Sequence, residues 1–550
     1  RTGLLFIPGT WIKSIHINKG AGSVANGYES ITGQINLQLA KPENSEKLLL
    51  NAYVNRNARM EINLNTAHHL NERWSTALLL HGSHMGNRID RNQDGFRDVP
   101  EFSQFNFLHR WKYEGDAWKM QFGVQALYDD RLGGQMNFER QQEREATSPY
   151  GFNRSTRRYA GFAKIGYIFP HKPSQSFGII INGLYHDQAS FWGNNDYEGN
   201  QVNAQIQGTF QTEFSPWLKL RTGFSYVYDD YEERLLSPQE PVFQPERRES
   251  VPGLFTELTI SPSEKLTLIP GIRVDFHNLL GTQWSPRFHG KYQLNEKNIF
   301  RLSAGRGFRV ATPLNENLNF LISNRQLLLS DEVFAEKAWN YGASFQHSFQ
   351  WGQRSGILTL DFYRSDFQEQ LVVDLDARPR ELNIYALDGR AYANSFQLAL
   401  EYELFKRFDV QMAYKWYDVQ TTYDGQLRSQ PFVSRNSFFV NLAYATYYDK
   451  WTFDLTVHWL GPQRLPDTFQ NPEEFQLGGQ SPDYVRISAQ VTRRFRRWEV
   501  YVGAENLAGF RQNPLIIQAD QPFGEFFDAG LIYGPVLGRM FYSGFRFKIK

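Results

Sequence analysis

Apolar and polar residues alternate with period two along most of the chain, which predicts strands whose two faces differ in chemistry. In 451–460, Trp451, Phe453, Leu455, Val457 and Trp459 share one face, while Thr452, Asp454, Thr456 and His458 share the other. Residues 396–404 set Phe396, Leu398, Leu400, Tyr402 and Leu404 against Gln397, Ala399, Glu401 and Glu403. Residues 438–444 and 484–492 repeat the pattern, the latter with Val485, Ile487, Ala489 and Val491 opposing Arg486, Ser488, Gln490 and Thr492. One face accepts charge and the other is apolar. A half-exposed strand in water alternates too, so the argument rests on the repetition and on the bulk of the apolar face.

The connections alternate in length. Short turns are predicted at 70–73, 114–117, 171–175, 261–265, 294–297 and 351–356. Long polar stretches fall between them, as at 129–157, 229–250, 310–335 and 461–482. Short turns at one rim and long loops at the other are the pattern of an outer-membrane barrel. Counting hairpins gives eleven, or about 22 strands starting near Lys47, with about 9–11 residues of each needed to span a bilayer. The predicted fold is an all-β transmembrane antiparallel barrel, and a lumen of that width calls for a plug.

Composition sharpens this picture. Phe, Tyr and Trp supply 15% of the 550 residues, as expected of aromatic girdles at two membrane interfaces. Mean hydropathy is −0.53, and no run approaches the roughly 20 apolar residues of a membrane-spanning helix. The net charge of +1 and the absence of like-charge blocks give no reason to expect a nucleic-acid partner. Cysteine is absent, which is compatible with export through an oxidising compartment. The chain opens at Arg1 without a leader, so it reads as a fragment or a processed form.

One motif suggests metal chemistry. Residues 90–101 read DRNQDGFRDVPE, which fits the twelve-residue calcium-loop spacing. Asp90, Asn92 and Asp94 would supply side-chain oxygens and Phe96 its carbonyl. Asp98 would bind directly or through water, Glu101 would close the shell, and Gly95 would allow the sharp turn. The flanks read as strands, so this would be a calcium loop on a hairpin tip; the alternative is a solvated acidic loop. His68 and His69 fall near a short turn and His81, His84 and Met85 near the opposite rim, so they are not expected to meet. Tyr228, Tyr231 and Phe243 could stack on a ligand or simply pack their loop. No nucleophile triad can be located, and the chain does not read as an enzyme.

Several segments carry a family resemblance. KGAGSVANGYESITGQINLQL (19–39) is similar to the closing signature of the plug of TonB-dependent outer-membrane receptors, with Gly20, Gly22, Gly27 and Gly33 at turns. SPRFHGKYQL (285–294), RLSAGRGFRVATPLNE (301–316) and EKAWNYGASFQHSF (336–349) resemble successive mid-barrel segments of that family. ENLAGFRQNPL (505–515) and GPVLGRMFYSGFRFKIK (534–550) resemble its last two strands, although the chain ends in Lys550 where many relatives end in Phe.

The resemblance implies two parts: residues 1–45 as the C-terminal remnant of a plug, and 46–550 as the barrel. It implies import of a scarce ligand, an iron-siderophore or other metal chelate, across the outer membrane. Energy would come from the inner-membrane proton gradient through a TonB-type protein that pulls on a box ahead of the plug; that box is not in this sequence. Calcium is the one cofactor expected. A passive porin and a surface-binding barrel are the alternatives, and residues 15–42 discriminate, since a porin would build them into its wall.

Overall fold

The computed structural model describes residues 6–145, 148–237, 240–329 and 335–549. Residues 1–5 at the start of the expected plug remnant, the terminal Lys550, and parts of three expected loops (146–147, 238–239 and 330–334) lie outside the described residues.

The wall begins at the strand Leu48–Asn55, which pairs with Met60–His69 on one side and with the last strand, Met540–Ile549, on the other. That last pairing closes the sheet into a barrel of 22 antiparallel wall strands. Two short strands, Glu240–Phe243 and Gln426–Ser429, are added at hairpin tips. In lipid every backbone amide and carbonyl must find a protein partner, and closure is how a sheet achieves this.

The short turns fall where the alternation breaks. The turn 70–73 joins Met60–His69 to Trp74–Met85, and 115–117 joins Glu101–Glu114 to Trp118–Gly134. The stretch 229–250 differs from expectation. Strands Leu218–Ser237 and Glu246–Ser263 continue through most of it, paired as far as Glu232 opposite Glu246. The ladder there extends beyond the bilayer into water, where polar residues suit both faces, so the change in polarity conceals its continuation. Asn195–Ser215, at 21 residues, likewise exceeds the roughly 9–11 that a membrane requires.

The two faces are those the alternation predicts. Val457 lies opposite Val440 on one neighbour and Ile487 on the other, an apolar belt facing outward. One residue along, Thr456 receives a 2.9 Å hydrogen bond from Asn441 on the lumenal side. Aromatic pairs such as Trp118–Tyr167, Phe300–Phe345 and Phe495–Trp498 ring the short-turn rim, and Trp284, Trp339 and Tyr341 stand at the long-loop rim.

Val457→Arg is expected to destabilise the barrel by about 2–4 kcal/mol, whereas Thr456→Arg, one position away, should cost far less. The difference in electrophoretic mobility between heated and unheated samples, followed against urea, measures both.

Candidate functional site: lumenal segment and outer cap

Residues 12–39 are not part of the wall. Ile12–Asn18 and Gln34–Leu39 form a separate antiparallel pair, with a short 3-10 turn at Val24–Asn26 between them. The segment is separate from the barrel sheet, whereas in a porin it would be a wall strand.

Side chains on the inner face of the wall hold the segment. Arg287, 4% exposed, is the centre. Its Nη1 donates to the carbonyls of Gly22 (3.0 Å) and Ser23 (3.3 Å), and its Nη2 to those of Gly27 (3.1 Å) and Ser30 (2.7 Å). A planar guanidinium with five donors suits this fan of acceptors. Around it, Lys19 pairs with Asp361 at 2.5 Å, Ser23 donates to Glu257 at 2.7 Å, and Tyr28 donates to Glu249 at 3.1 Å. The Val310 amide donates to Glu29 at 3.1 Å. Nearer the wall's first strands, Arg110 donates to the Ala40 carbonyl at 2.7 Å, and Trp11 is fully buried against Ala67, Ala77, Leu79 and Leu108.

Wall glycines make room for these contacts. A Cβ on Gly307 would lie 2.1 Å from the Ser30 carbonyl oxygen, and one on Gly305 would lie 2.8 Å from the Ala21 Cβ. The backbones touch because those positions have no side chain. Within the segment, Gly20 (φ +75°) and Gly33 (φ +67°) adopt the left-handed conformation that glycine tolerates best.

At the opposite level, the long loops meet in one buried apolar cluster. Phe96, Tyr150, Trp192, Leu314, Leu382 and Phe527 represent its contributing loops. The helix Pro313–Leu321 enters with Pro at its first turn, and Glu316 reaches back to the Thr312 amide at 3.1 Å; both features favour a helix start. Strands Gln326–Leu329, Glu381–Ala386 and Leu371–Asp374 form a small sheet beside it. The connection 506–539 crosses to this core, where Asp528 accepts from Ser323 (2.5 Å) and pairs with Arg325 (2.6 Å). Phe243 packs against the same core, while the buried Tyr231 hydroxyl lies 3.5 Å from that of Tyr197.

The calcium-type loop is closed by its own hydrogen bonds. Asp90 accepts from the amides of Gln93 (2.7 Å) and Gly95 (3.0 Å), and Asp94 from the Phe96 amide (2.9 Å) and the Asn92 side chain (2.6 Å). Asp98 accepts from the Arg91 amide at 3.0 Å, and burial, with Asp90 and Asp94 nearby, pushes its carboxyl up. Gly95 takes φ +84°, as the sharp turn requires. Glu101 stands apart, paired with Arg88 at 2.8 Å and Arg97 at 3.5 Å. Among the described residues, no set of three or more His, Asp or Glu side chains is arranged to hold a metal ion. The Phe96 ring stacks on Phe527 with centroids 5.7 Å apart. His81 bonds Asn63 and His84 bonds Ser103, at 2.8 and 2.9 Å, so these two histidines have separate partners.

Two functional features escaped the sequence reading. Arg287 sits in a segment noted only for its resemblance, and the cap core is assembled from residues hundreds of positions apart. A lone Arg in a lumenal face carries no periodic signal. Aromatic residues in polar loops, such as Phe96 and Trp192, were the available hint of a second core.

The family profile described as TonB dependent receptor-like, beta-barrel matches residues 44–507. The chain belongs to the TonB-dependent receptors, barrels of the outer membrane whose class is receptor and transporter rather than enzyme. A 146-residue stretch is 23% identical to the ferric enterobactin receptor PirA of Pseudomonas aeruginosa, covering 24% of this chain and 19% of that receptor. The aligned stretch thus spans about a fifth of that curated relative. The pyoverdine receptor FpvA of Pseudomonas aeruginosa superposes with a TM-score of 0.73 at 12% identity, over 98% of this chain and 84% of that one. The siderophore receptor PiuA of Acinetobacter baumannii gives 0.71 at 12% identity, over 98% and 86%. At such identities the likeness is one of fold.

Arg287→Ala should free the turns at 20–31. Four charge-assisted contacts are lost together, and even one such bond is worth about 1.5–3 kcal/mol. Gly307→Ala should do the same by steric displacement. Limited proteolysis of the receptor in native membranes, mapped to 20–31, checks both; Thr456→Ala serves as a lumenal control.

Proposed function

We propose that this chain is the barrel and plug-closing part of an energised importer, with residues 1–45 as the plug remnant and 46–550 as the wall. The cargo is a metal chelate of the siderophore type, taken up from the long-loop side. The observation that carries the reading is the character of the contact between residues 19–30 and the wall. It is made largely of hydrogen bonds and ion pairs around Arg287. Such contacts can be exchanged for water, whereas a large apolar interface would have to be dragged through it. A segment held this way is firmly seated yet can be displaced by a pull. The proposed source of that pull is a TonB-type protein drawing on the proton gradient. Two named relatives point to the cargo: one is a ferric enterobactin receptor and one was solved bound to pyoverdine.

Deleting the full-length gene is expected to slow growth under iron limitation and to abolish uptake of the cognate ferric chelate. A protonophore should abolish uptake in the parent cells without reducing chelate binding at the surface. Uptake that persists with the gradient collapsed would favour a passive channel.

We also propose calcium at residues 90–101, with Asp90, Asn92, Asp94, the Phe96 carbonyl and Asp98 as ligands. Glu101 joins only by leaving Arg88 and Arg97, so the arrangement fits the ion in part. Calorimetric titration with calcium should give saturable binding that Asp94→Ala removes; equal heats from both proteins would dismiss the site.

A further inference from the structure

Charge is unevenly spread around the short-turn rim. At several turns the cations have a carboxylate beside them: Lys112 and Lys119 share Glu114, at 2.7 and 3.3 Å, and Lys219 pairs with Glu213. The run RRFRRW at 493–498 has no such balance. The acid that follows it, Glu499, is already shared by Arg494, Arg546 and Lys548. Among the described residues, Arg493, Arg496 and Arg497 have no carboxylate within ion-pairing distance.

The adjoining turns continue this basic arc. Backbone hydrogen bonds join their edges: the Arg494 amide donates to the Lys450 carbonyl at 2.8 Å, and the Ala445 amide to the Arg407 carbonyl at 3.0 Å. Lys450 and Arg407 stand over the rings of Tyr448 and Tyr447, which are 87% and 68% exposed.

Arg493 faces lipid. It lies directly opposite Trp451 on one neighbouring strand and Val500 on the other, both on the outward face. Two rings flank its guanidinium, with the Trp451 centroid 4.8 Å away and the Phe495 centroid 5.2 Å away. Trp498 stacks on Phe495 at 3.7 Å. Arg496 and Arg497 follow in the turn itself, both exposed.

A guanidinium on the outward face, where bilayer meets water, is more stable with an anion beside it, and the chain supplies none. Phosphate is the anion that lipid offers at that level, and guanidinium groups bind it through two parallel hydrogen bonds. Indole rings settle at the same headgroup level. A girdle of aromatic residues alone does not select for charge, whereas three unpaired arginines on one turn do. A zwitterionic headgroup would bring an ammonium into this cluster, and an anionic one would not. We propose that Arg493, Arg496 and Arg497 bind the phosphate of an anionic glycerophospholipid in the leaflet on the short-turn side, with Trp451 and Trp498 against its glycerol and upper acyl chain. Lys450 and Arg407 add to the attraction at longer range. The proposal rests on the outer-membrane barrel and is independent of the cargo.

Native mass spectrometry of the detergent-purified full-length receptor tests this, titrated separately with phosphatidylglycerol and phosphatidylcholine. Phosphatidylglycerol should bind about tenfold more tightly or better. The triple variant Arg493→Gln, Arg496→Gln, Arg497→Gln should lose that preference. Removing the same charge elsewhere on the rim, by Lys172→Gln, Lys265→Gln and Lys297→Gln, should keep it. Heat-dependent electrophoretic mobility verifies that each variant is folded; Arg496→Gln with Arg497→Gln, both on the exposed turn, carries the test if the triple variant is not. Equal binding of the two lipids, a preference unchanged in the arginine variants, or an equal loss in the lysine variant would overturn the proposal. Polyglutamate that displaces phosphatidylglycerol from the parent protein would also refute it, and would make the arc a docking surface for an acidic protein.

Discussion

Backbone hydrogen bonding in a medium without water is the constraint on which everything else here depends. An amide facing lipid has no solvent to turn to, so every strand needs two neighbours. The pairing of Leu48–Asn55 with Met540–Ile549 supplies the last of them. Once the sheet is closed, its side chains divide. Those pointing outward must be apolar, and those pointing inward face a wet space where charge is cheap. The lumenal arginines and carboxylates follow from that division.

The inner face is therefore free to be polar, and the chain uses it to seat residues 12–39. Arg287 binds backbone carbonyls rather than side chains, so it reads the path of the segment more than its composition. The glycines at 305 and 307 let the backbones approach, and a methyl group at 307 would strike Ser30. Attachment by hydrogen bonds and ion pairs gives specific seating with contacts that water can replace. On the import reading proposed above, such a join suits a part that both blocks and moves.

The outer end solves a different problem. Loops from distant hairpins would be loose in water, but here they share a core of aromatic and aliphatic side chains. The pair between Arg325 and Asp528 ties the connection 506–539 to the region after the helix. Burial of rings such as Phe96, Trp192 and Phe527 gives the cap an interior of its own, separate from the lipid-facing belt.

Alternation along each strand determined the wall by itself, because one residue of slip would turn charge into lipid. The short turns at 70–73 and 114–117 and the start of the wall near Lys47 were legible for the same reason, and so was the separateness of residues 15–42, through its glycines and its resemblance. The extended ladder at 229–250 was not, since polar residues pair as well in water as apolar ones do in lipid. For residues 90–101 the spacing could be read, while the preference of Glu101 for Arg88 and Arg97 was decided by side chains that only folding brings near. The same holds for Arg287 and for the cap. Arg287 reaches a carbonyl 265 positions away and Phe96 stacks on Phe527 from the far end of the chain, and no local period records a contact made across the bore of a barrel.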